Sequence, residues 1–119
     1  MRILLVDDDP LVRESYTLGL IERGLDVVSA DSREGLHRLA SGSFDVAVVD
    51  MLMPDVDGGA FIVWSRATAP RLRIIAISGG GAYSAESCLA VAEGLGAEAT
   101  FRKPVNLDQL RDIIINPRR

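Results

Sequence analysis

Short runs of apolar residues alternate along this chain with longer segments in which apolar residues recur every three or four positions. The short runs have the length and β-branched content of strands, and the longer segments have the spacing of helices with one apolar face. Glycine, proline and small polar residues separate the two kinds of segment. We therefore predict five strands, at Arg2–Val6, Leu25–Ser29, Asp45–Val49, Arg73–Ile77 and Ala99–Arg102.

A helix is predicted after each strand. Pro10 suits the first turn of a helix, and Asp9, Asp31 and Asn106 are typical N-cap residues. This alternation predicts one α/β domain over residues 1–119, with a parallel sheet, helices on both of its faces and right-handed crossovers. The helices are predicted from Pro10 to a stop at Gly24, from Asp31 to a stop at Ser41-Gly42-Ser43, at Ala60–Ala69, at Ser84–Leu95 and from Asn106 onward.

The third strand ends on a carboxylate. Val46 to Val49 form an unbroken apolar run, which is typical of a strand covered on both faces. Pro54 and the pair Asp57-Gly58 then supply turn chemistry. Asp50 is therefore predicted where a buried strand stops and a loop begins, at the edge where open parallel sheets bind ligands. Taken alone, Asp50 is equally compatible with a solvated loop aspartate.

Polar residues also follow the other strands. In a parallel sheet they converge on one edge, although they are far apart in the sequence. Carboxylates a few Å apart repel one another and need a cation or a shared proton. Oxygen ligands without histidine or cysteine select Mg²⁺ or Mn²⁺. The converging residues are Asp7, Asp8 and Asp9 after the first strand, Asp50 after the third, Ser78 after the fourth and Lys103 after the fifth.

Lys103 is the single lysine among thirteen basic residues, the others being arginines. An arginine-rich coding bias explains the imbalance equally simply, with the lysine placed by chance. A compact ammonium nevertheless suits a phosphoryl oxygen, and Lys103 stands at a strand end. Residue type and position together favour a functional role.

Composition narrows the classes of protein. The formal net charge of −4 argues against direct nucleic-acid binding, because proteins that neutralise phosphates usually carry a basic excess. The single cysteine, Cys88, lies in a helical pattern and is predicted to be a small buried hydrophobe. The first apolar run is too short for a signal peptide, and no run approaches a membrane span. We therefore expect a cytoplasmic protein without membrane contact.

In order and spacing, these residues resemble the receiver domain of response regulators, the phosphoacceptor module of bacterial two-component signalling. The resemblance covers essentially the whole chain and implies a flavodoxin-like, doubly wound five-stranded parallel sheet of order 2-1-3-4-5 with five helices. Each motif is weak alone, and the combination is specific. The matching elements are Asp7-Asp8, Asp50 with Met53-Pro54 and Asp57-Gly58, Ser78, Gly96-Ala97 and Lys103-Pro104.

The resemblance also implies roles. Asp50 is expected to accept a phosphoryl group from a histidine kinase or phosphotransfer protein, as a signalling switch and not as a turnover enzyme. Mg²⁺ or Mn²⁺ is expected on Asp8, Asp50 and the Leu52 carbonyl, with Asp7 acting through water. Lys103 and the Ser78 hydroxyl are expected to neutralise phosphoryl oxygens. Movement of Ser78 then alters the face formed by strands four and five, where a downstream protein binds or a homodimer forms.

Two positions depart from the family pattern. Thr100 stands where the family usually has an aromatic switch residue, and the adjacent Phe101 is expected to face the other side of the sheet. Leu52 and Gly80 occupy the positions that tune dephosphorylation, and neither can orient a water molecule. We therefore expect slow intrinsic loss of phosphate.

Two other classes of protein remain compatible with the sequence. A phosphatase similar to the haloacid dehalogenases would use Asp7 as nucleophile and Asp9 as acid and base, with Ser78 and Lys103 as later motifs. That interpretation leaves Asp50 unused and lacks an acidic metal motif after the lysine. The third class is a receiver fold that works by protein binding alone, without phosphorylation.

Overall fold

The computed structural model describes residues 1–53, 56–79 and 85–117. In these residues a strand and a helix alternate five times along the chain. The elements are β1 (Arg2–Val6), α1 (Pro10–Glu22), β2 (Asp26–Ala30), α2 (Ser32–Ser41), β3 (Val46–Asp50), α3 (Gly58–Thr68), β4 (Arg73–Ser78), α4 (Ala85–Gly94), β5 (Ala99–Arg102) and α5 (Leu107–Ile115).

All strand pairs are parallel, and the order across the sheet is β2-β1-β3-β4-β5. The predicted flavodoxin-like fold is therefore confirmed. The register aligns the carboxyl ends of the strands: Val6 lies opposite both Ala30 and Val49, and Asp50 lies opposite Ile77. This alignment brings the residues that follow β1, β3, β4 and β5 to one edge of the sheet.

Several predicted boundaries were wrong by one or two residues. β2 begins at Asp26 because Gly24, at φ +86°, and Leu25 still belong to the closing turn of α1, where the Leu25 amide donates to the Leu20 carbonyl. β3 and β4 each run one residue further than predicted, so Asp50 and Ser78 are strand residues. α3 begins at Gly58, because Asp57 is its N-cap and not only a turn residue. The predicted start of α4, Ser84, lies outside the described residues.

Each face of the sheet has its own apolar core, as expected when alternate strand residues point to opposite sides. α2, α3 and α4 cover one face, where Phe61, Ile62 and Leu89 are buried. Cys88 packs against this core, as predicted for a hydrophobe, but it is only partly buried. α1 and α5 cover the other face, where Leu20, Leu110 and Ile114 are buried. In the described part of the chain, no helix has the length and apolarity to cross a membrane.

Candidate functional site

Asp50 is the last residue of a strand whose five residues are all buried. Its side chain is nearly buried too, since the residue is only 5% exposed. Oδ1 accepts a hydrogen bond from the Leu52 amide at 3.1 Å, and Oδ2 accepts one from the Lys103 ammonium at 3.1 Å. The carboxylate is therefore held in place from two directions, and it is not a solvated loop aspartate.

Lys103 joins two carboxylates. Its ammonium donates to Asp7 Oδ2 at 3.0 Å as well as to Asp50, and the lysine side chain is only 20% exposed. The lysine lies one residue beyond β5, and its backbone amide donates to the Ser78 carbonyl at 2.9 Å. One side chain thus connects the ends of β1, β3 and β5, and its backbone connects the end of β4.

Asp7 is fully buried and its polar atoms are engaged. Oδ1 accepts from the Asp9 amide at 2.9 Å, and the backbone amide of Asp7 donates to the Ala30 carbonyl at 3.1 Å. The Arg13 guanidinium, one turn into α1, donates to the Asp7 carbonyl at 2.8 Å. These contacts fix the loop between β1 and α1 against the sheet.

Asp50 and Lys103 both have shifted pKa values. Burial raises the pKa of Asp50, and the charge of Asp7 adds to this, outweighing the Leu52 amide and the Lys103 charge, which lower it. Burial alone would lower the pKa of Lys103, but its contacts with Asp7 and Asp50 outweigh burial and raise it. The shared ammonium is stabilised by two carboxylates, while each carboxylate repels the other.

Asp8, one of the groups expected to bind a cation directly, contacts Ser32 and not Lys103. Its Oδ1 accepts from the Ser32 amide at 2.7 Å and its Oδ2 from the Ser32 hydroxyl at 3.2 Å. Among the residues that the structure describes, no three His, Cys, Asp or Glu side chains are grouped as metal ligands. The donor chemistry still fits a hard divalent cation, since the carboxylates of Asp7, Asp8 and Asp50 outnumber the cations of Lys103 and Arg13 beside them.

Ser78 is fully buried at the end of β4 and pairs with Arg102 of β5. It therefore reaches the same edge as Lys103, as predicted. Leu52, two residues after Asp50, is half-buried, whereas Gly80 and Pro54 lie outside the described residues. Asp9 is an N-cap, because its Oδ1 accepts from the amides at the start of α1.

The two faces of β5 differ as the sequence predicted. The Thr100 hydroxyl donates to Glu93 of α4 at 3.4 Å, and the Phe101 ring packs against the core on the α1 and α5 side. The aromatic ring is therefore on the face away from α4.

Sequence reasoning missed three supporting residues. Arg13 contacts the Asp7 carbonyl, Ser32 contacts Asp8, and the Tyr16 hydroxyl accepts from the Val105 amide at 3.2 Å, close to Lys103. Of the three, only Ser32 could have been predicted from the sequence. Because β1 and β2 are adjacent in the sheet, the residues just beyond their ends must be neighbours. The positions of Arg13 and Tyr16 on α1 depend on how that helix packs.

Comparisons with known proteins agree with this geometry. The family model described as the response regulator receiver domain matches residues 3–115. A response regulator, MprA of Mycolicibacterium vanbaalenii, is 35% identical over 92% of this chain and 47% of its own length. A cyclic di-GMP phosphodiesterase of Thermotoga maritima is 31% identical over 93% of this chain and 29% of its own length. The chain thus spans less than half of these curated relatives.

A solved structure gives the same result. The crystal structure of a CheY-like response regulator receiver domain protein from Methanospirillum hungatei JF-1 superimposes with a TM-score of 0.84. The two sequences are 30% identical, and the match covers 96% of this chain and 90% of the other. Because the family model matches nearly the whole length of this chain, the chain belongs to the response regulator receiver domain family, the signalling-switch module of two-component systems.

Proposed function

We propose that Asp50 accepts a phosphoryl group from a histidine kinase or phosphotransfer protein. The observation that carries the proposal is the position of Asp50, a nearly buried carboxylate at a strand end, beside an ammonium that also contacts Asp7. Buried clusters of this kind place charge where a transferring phosphoryl group needs it neutralised.

In the transfer, a carboxylate oxygen of Asp50 attacks phosphorus and forms an acyl phosphate. The bond from phosphorus to the donor's histidine nitrogen breaks, and its electron pair stays with the nitrogen. The Leu52 amide fixes one oxygen of the acceptor, and Lys103 supplies a positive charge at the other. Ser78, at the end of the adjacent strand, supplies a hydroxyl for the phosphoryl oxygens.

A divalent cation completes the proposed site. Asp8, Asp50 and the Leu52 carbonyl would hold Mg²⁺ or Mn²⁺ directly, and Asp7 would act through water. Once bound, the cation would supply further neutralisation of the charge on the phosphoryl group.

The output is proposed to pass through the face formed by β4, β5 and α4. Ser78 and Lys103 are joined by a backbone hydrogen bond, so movement of the serine toward a phosphoryl group also pulls on β5. Thr100, in contact with Glu93, replaces the usual aromatic residue, so backbone movement carries the signal to α4. The recipient is a downstream protein or a second copy of the chain, in the cytoplasm and without direct nucleic-acid contact.

The test is intact mass and Phos-tag electrophoresis after incubation with acetyl phosphate and Mg²⁺. Wild type should gain one phosphoryl group, and Asp50→Ala should gain none. Asp57→Asn, which changes an exposed aspartate that caps α3, should still be phosphorylated. An adduct on Asp50→Ala, or none on wild type with either acetyl phosphate or a cognate kinase, would overturn the proposal. The second result would favour a binding module that is not phosphorylated.

The phosphorylated form is expected to be long-lived. Leu52 follows Asp50 closely and offers no polar atom in its side chain to orient an attacking water molecule. Leu52→Asn should therefore shorten the half-life of the phosphate, measured by Phos-tag after removal of acetyl phosphate. Rapid loss in wild type that Leu52→Asn leaves unchanged would contradict this expectation.

A further inference from the structure

Ser32 is a buried polar residue that the proposed phosphoryl transfer does not use. It is the first residue of α2 and is only 1% exposed. Its amide donates to Asp8 Oδ1 at 2.7 Å and its hydroxyl donates to Asp8 Oδ2 at 3.2 Å. A single residue thus engages both oxygens of a carboxylate that the cation site requires.

The sheet register creates this contact. Val6 of β1 lies opposite Ala30 of β2, and the Asp7 amide continues the pairing by donating to the Ala30 carbonyl. Asp8 lies two residues beyond Val6, and Ser32 lies two residues beyond Ala30. The two residues are therefore neighbours for the same reason that their strands are.

The start of α2 adds to the attraction. Asp31 caps the helix by accepting from the Glu34 amide, and the Asp8 carboxylate accepts from the amide of Ser32, the first residue of the helix. Amides at a helix N-terminus favour a negative charge. The helix and a cation thus compete for the same carboxylate.

The Lys103 ammonium contacts Asp7 and Asp50. Within the described residues, Asp8 does not form a cluster with these two carboxylates that could hold a metal ion. We propose that Ser32 restrains cation binding by holding Asp8 on α2, so that Mg²⁺ must displace the serine before Asp8 can act as a ligand. This inference rests on the proposed function for the identity of the cation site.

Removing the Ser32 hydroxyl should make Mg²⁺ bind more tightly. Ser32→Ala loses one of the two hydrogen bonds to Asp8 and leaves the amide in place. The Mg²⁺ dissociation constant should fall at least about ten-fold, the effect of losing one hydrogen bond to a charged group. Ser41→Ala is the matched control, since Ser41 is at the other end of α2 and donates to the His37 carbonyl.

The experiment titrates MgCl₂ into wild type, Ser32→Ala, Ser41→Ala and Asp8→Asn by isothermal calorimetry. Ser32→Ala should bind more tightly, Ser41→Ala should match wild type, and Asp8→Asn should lose binding. Weaker or unchanged binding by Ser32→Ala overturns the proposal, as does wild type that binds no Mg²⁺ or Asp8→Asn that binds normally.

A second measurement needs no variant and so does not depend on whether Ser32→Ala folds. In ¹⁵N-labelled wild type, the Ser32 amide resonance should move upfield as Mg²⁺ is added, because its hydrogen bond to Asp8 breaks. The change should saturate at the same Mg²⁺ concentration as the calorimetric signal. A Ser32 amide that keeps its position at saturating Mg²⁺ overturns the proposal.

Phos-tag electrophoresis of the same samples separates this proposal from the proposed function. If wild type is phosphorylated at Asp50 but Ser32→Ala shows no gain in Mg²⁺ affinity, only the Ser32 proposal fails. If Mg²⁺ affinity changes as expected but no Asp50 adduct forms with either donor, only the proposed phosphoryl transfer fails.

Discussion

At the scale of single residues, one ammonium group forms ion pairs with two carboxylates. Lys103 contacts Asp7, which is fully buried, and Asp50, which is nearly so. Removing one partner of a buried ion pair leaves an uncompensated charge and is costly. The same arrangement makes the ionisation of Asp50 unfavourable, because burial and the Asp7 charge raise its pKa above the ordinary value of 3.8.

The Asp50 shift predicts a dependence of stability on pH. A carboxyl group with a raised pKa binds its proton more tightly in the folded state. Its stabilising effect is full below pH 3.8 and is lost as pH rises through the folded-state pKa. Asp50→Asn removes this loss, so its melting temperature relative to wild type should rise from acidic to neutral pH.

Thermal melts followed by circular dichroism across this range measure the difference. Asp26→Asn, at an exposed position of β2, controls for replacement of a carboxylate by an amide. If the melting temperature of Asp50→Asn minus that of wild type stays constant or falls with rising pH, the Asp50 charge does not destabilise the fold.

Thr17 in α1 carries a stability penalty of a different kind. Its hydroxyl oxygen is buried and has no hydrogen-bond partner among the described residues. Thr17→Val keeps the shape and the β-branch, and should raise the free energy of unfolding by about 1 kcal/mol. That corresponds to roughly 3–6 °C in melting temperature for a domain of this size. Thr17→Ser, which keeps the hydroxyl, should give no gain, and a less stable valine variant would indicate that the hydroxyl is bound.

At the scale of elements, the site depends on how closely α3 approaches the end of β3. The Gly58 amide donates to the Met51 carbonyl at 3.2 Å, so the first turn of α3 lies against the residues that follow Asp50. A β-carbon at Gly58 would overlap the Met51 backbone and would lie 2.8 Å from the Asp50 carbonyl oxygen. Neither of these backbone atoms can move without disturbing the strand.

Gly58→Ala should therefore lower the free energy of unfolding by about 2 kcal/mol through overpacking. Gly94→Ala is the matched control, because Gly94 is also helical and a β-carbon there meets no atom within 4 Å. Alanine favours helices over glycine, so the control should gain about 0.5 kcal/mol. Urea denaturation measures both, and equal effects of the two substitutions would refute the close approach at Gly58.

At the scale of the whole molecule, the carboxyl ends of the strands carry the candidate site, whereas the opposite edge of the sheet carries contacts that stabilise the fold. The carboxyl edge holds the acidic site, and Arg73 ties the opposite edge together at the start of β4. Its guanidinium binds both oxygens of Glu98, at 2.8 Å and 2.6 Å, and donates to the carbonyls of Ile113 and Ile114 at the end of α5. One side chain thus fastens the last helix to the sheet.

Arg73→Lys should lower the free energy of unfolding by about 2–3 kcal/mol, because an ammonium cannot reproduce the planar, bidentate contact or satisfy both helix carbonyls. Arg102→Lys is the control: Arg102 pairs with Glu86, but both side chains are 65% exposed, so its loss should stay below about 0.5 kcal/mol. Chemical denaturation distinguishes the two. A similar small cost at both sites would mean that the Arg73 contacts contribute little.

Much of the architecture could be predicted because it depends on interactions between residues close in sequence. Apolar periodicity located the strands and helices seen in the described residues, and Asp9, Asp31 and Asn106 cap helices as their residue types indicate. The errors lie at element ends. There a one-residue change costs little locally, and sheet pairing such as that of Asp50 with Ile77 decides the boundary.

The sequence by itself determined which residues gather at the carboxyl edge, because alternating strands and helices force a parallel sheet with aligned strand ends. Only the tertiary structure decided what each of them contacts. Lys103 lies between Asp7, 96 positions away, and Asp50, whereas Asp8 turns to Ser32 at the start of α2. The direction of a side chain and the pKa of a carboxyl group depend on burial, register and nearby charge. Those quantities arise from packing between distant segments, which no local pattern encodes.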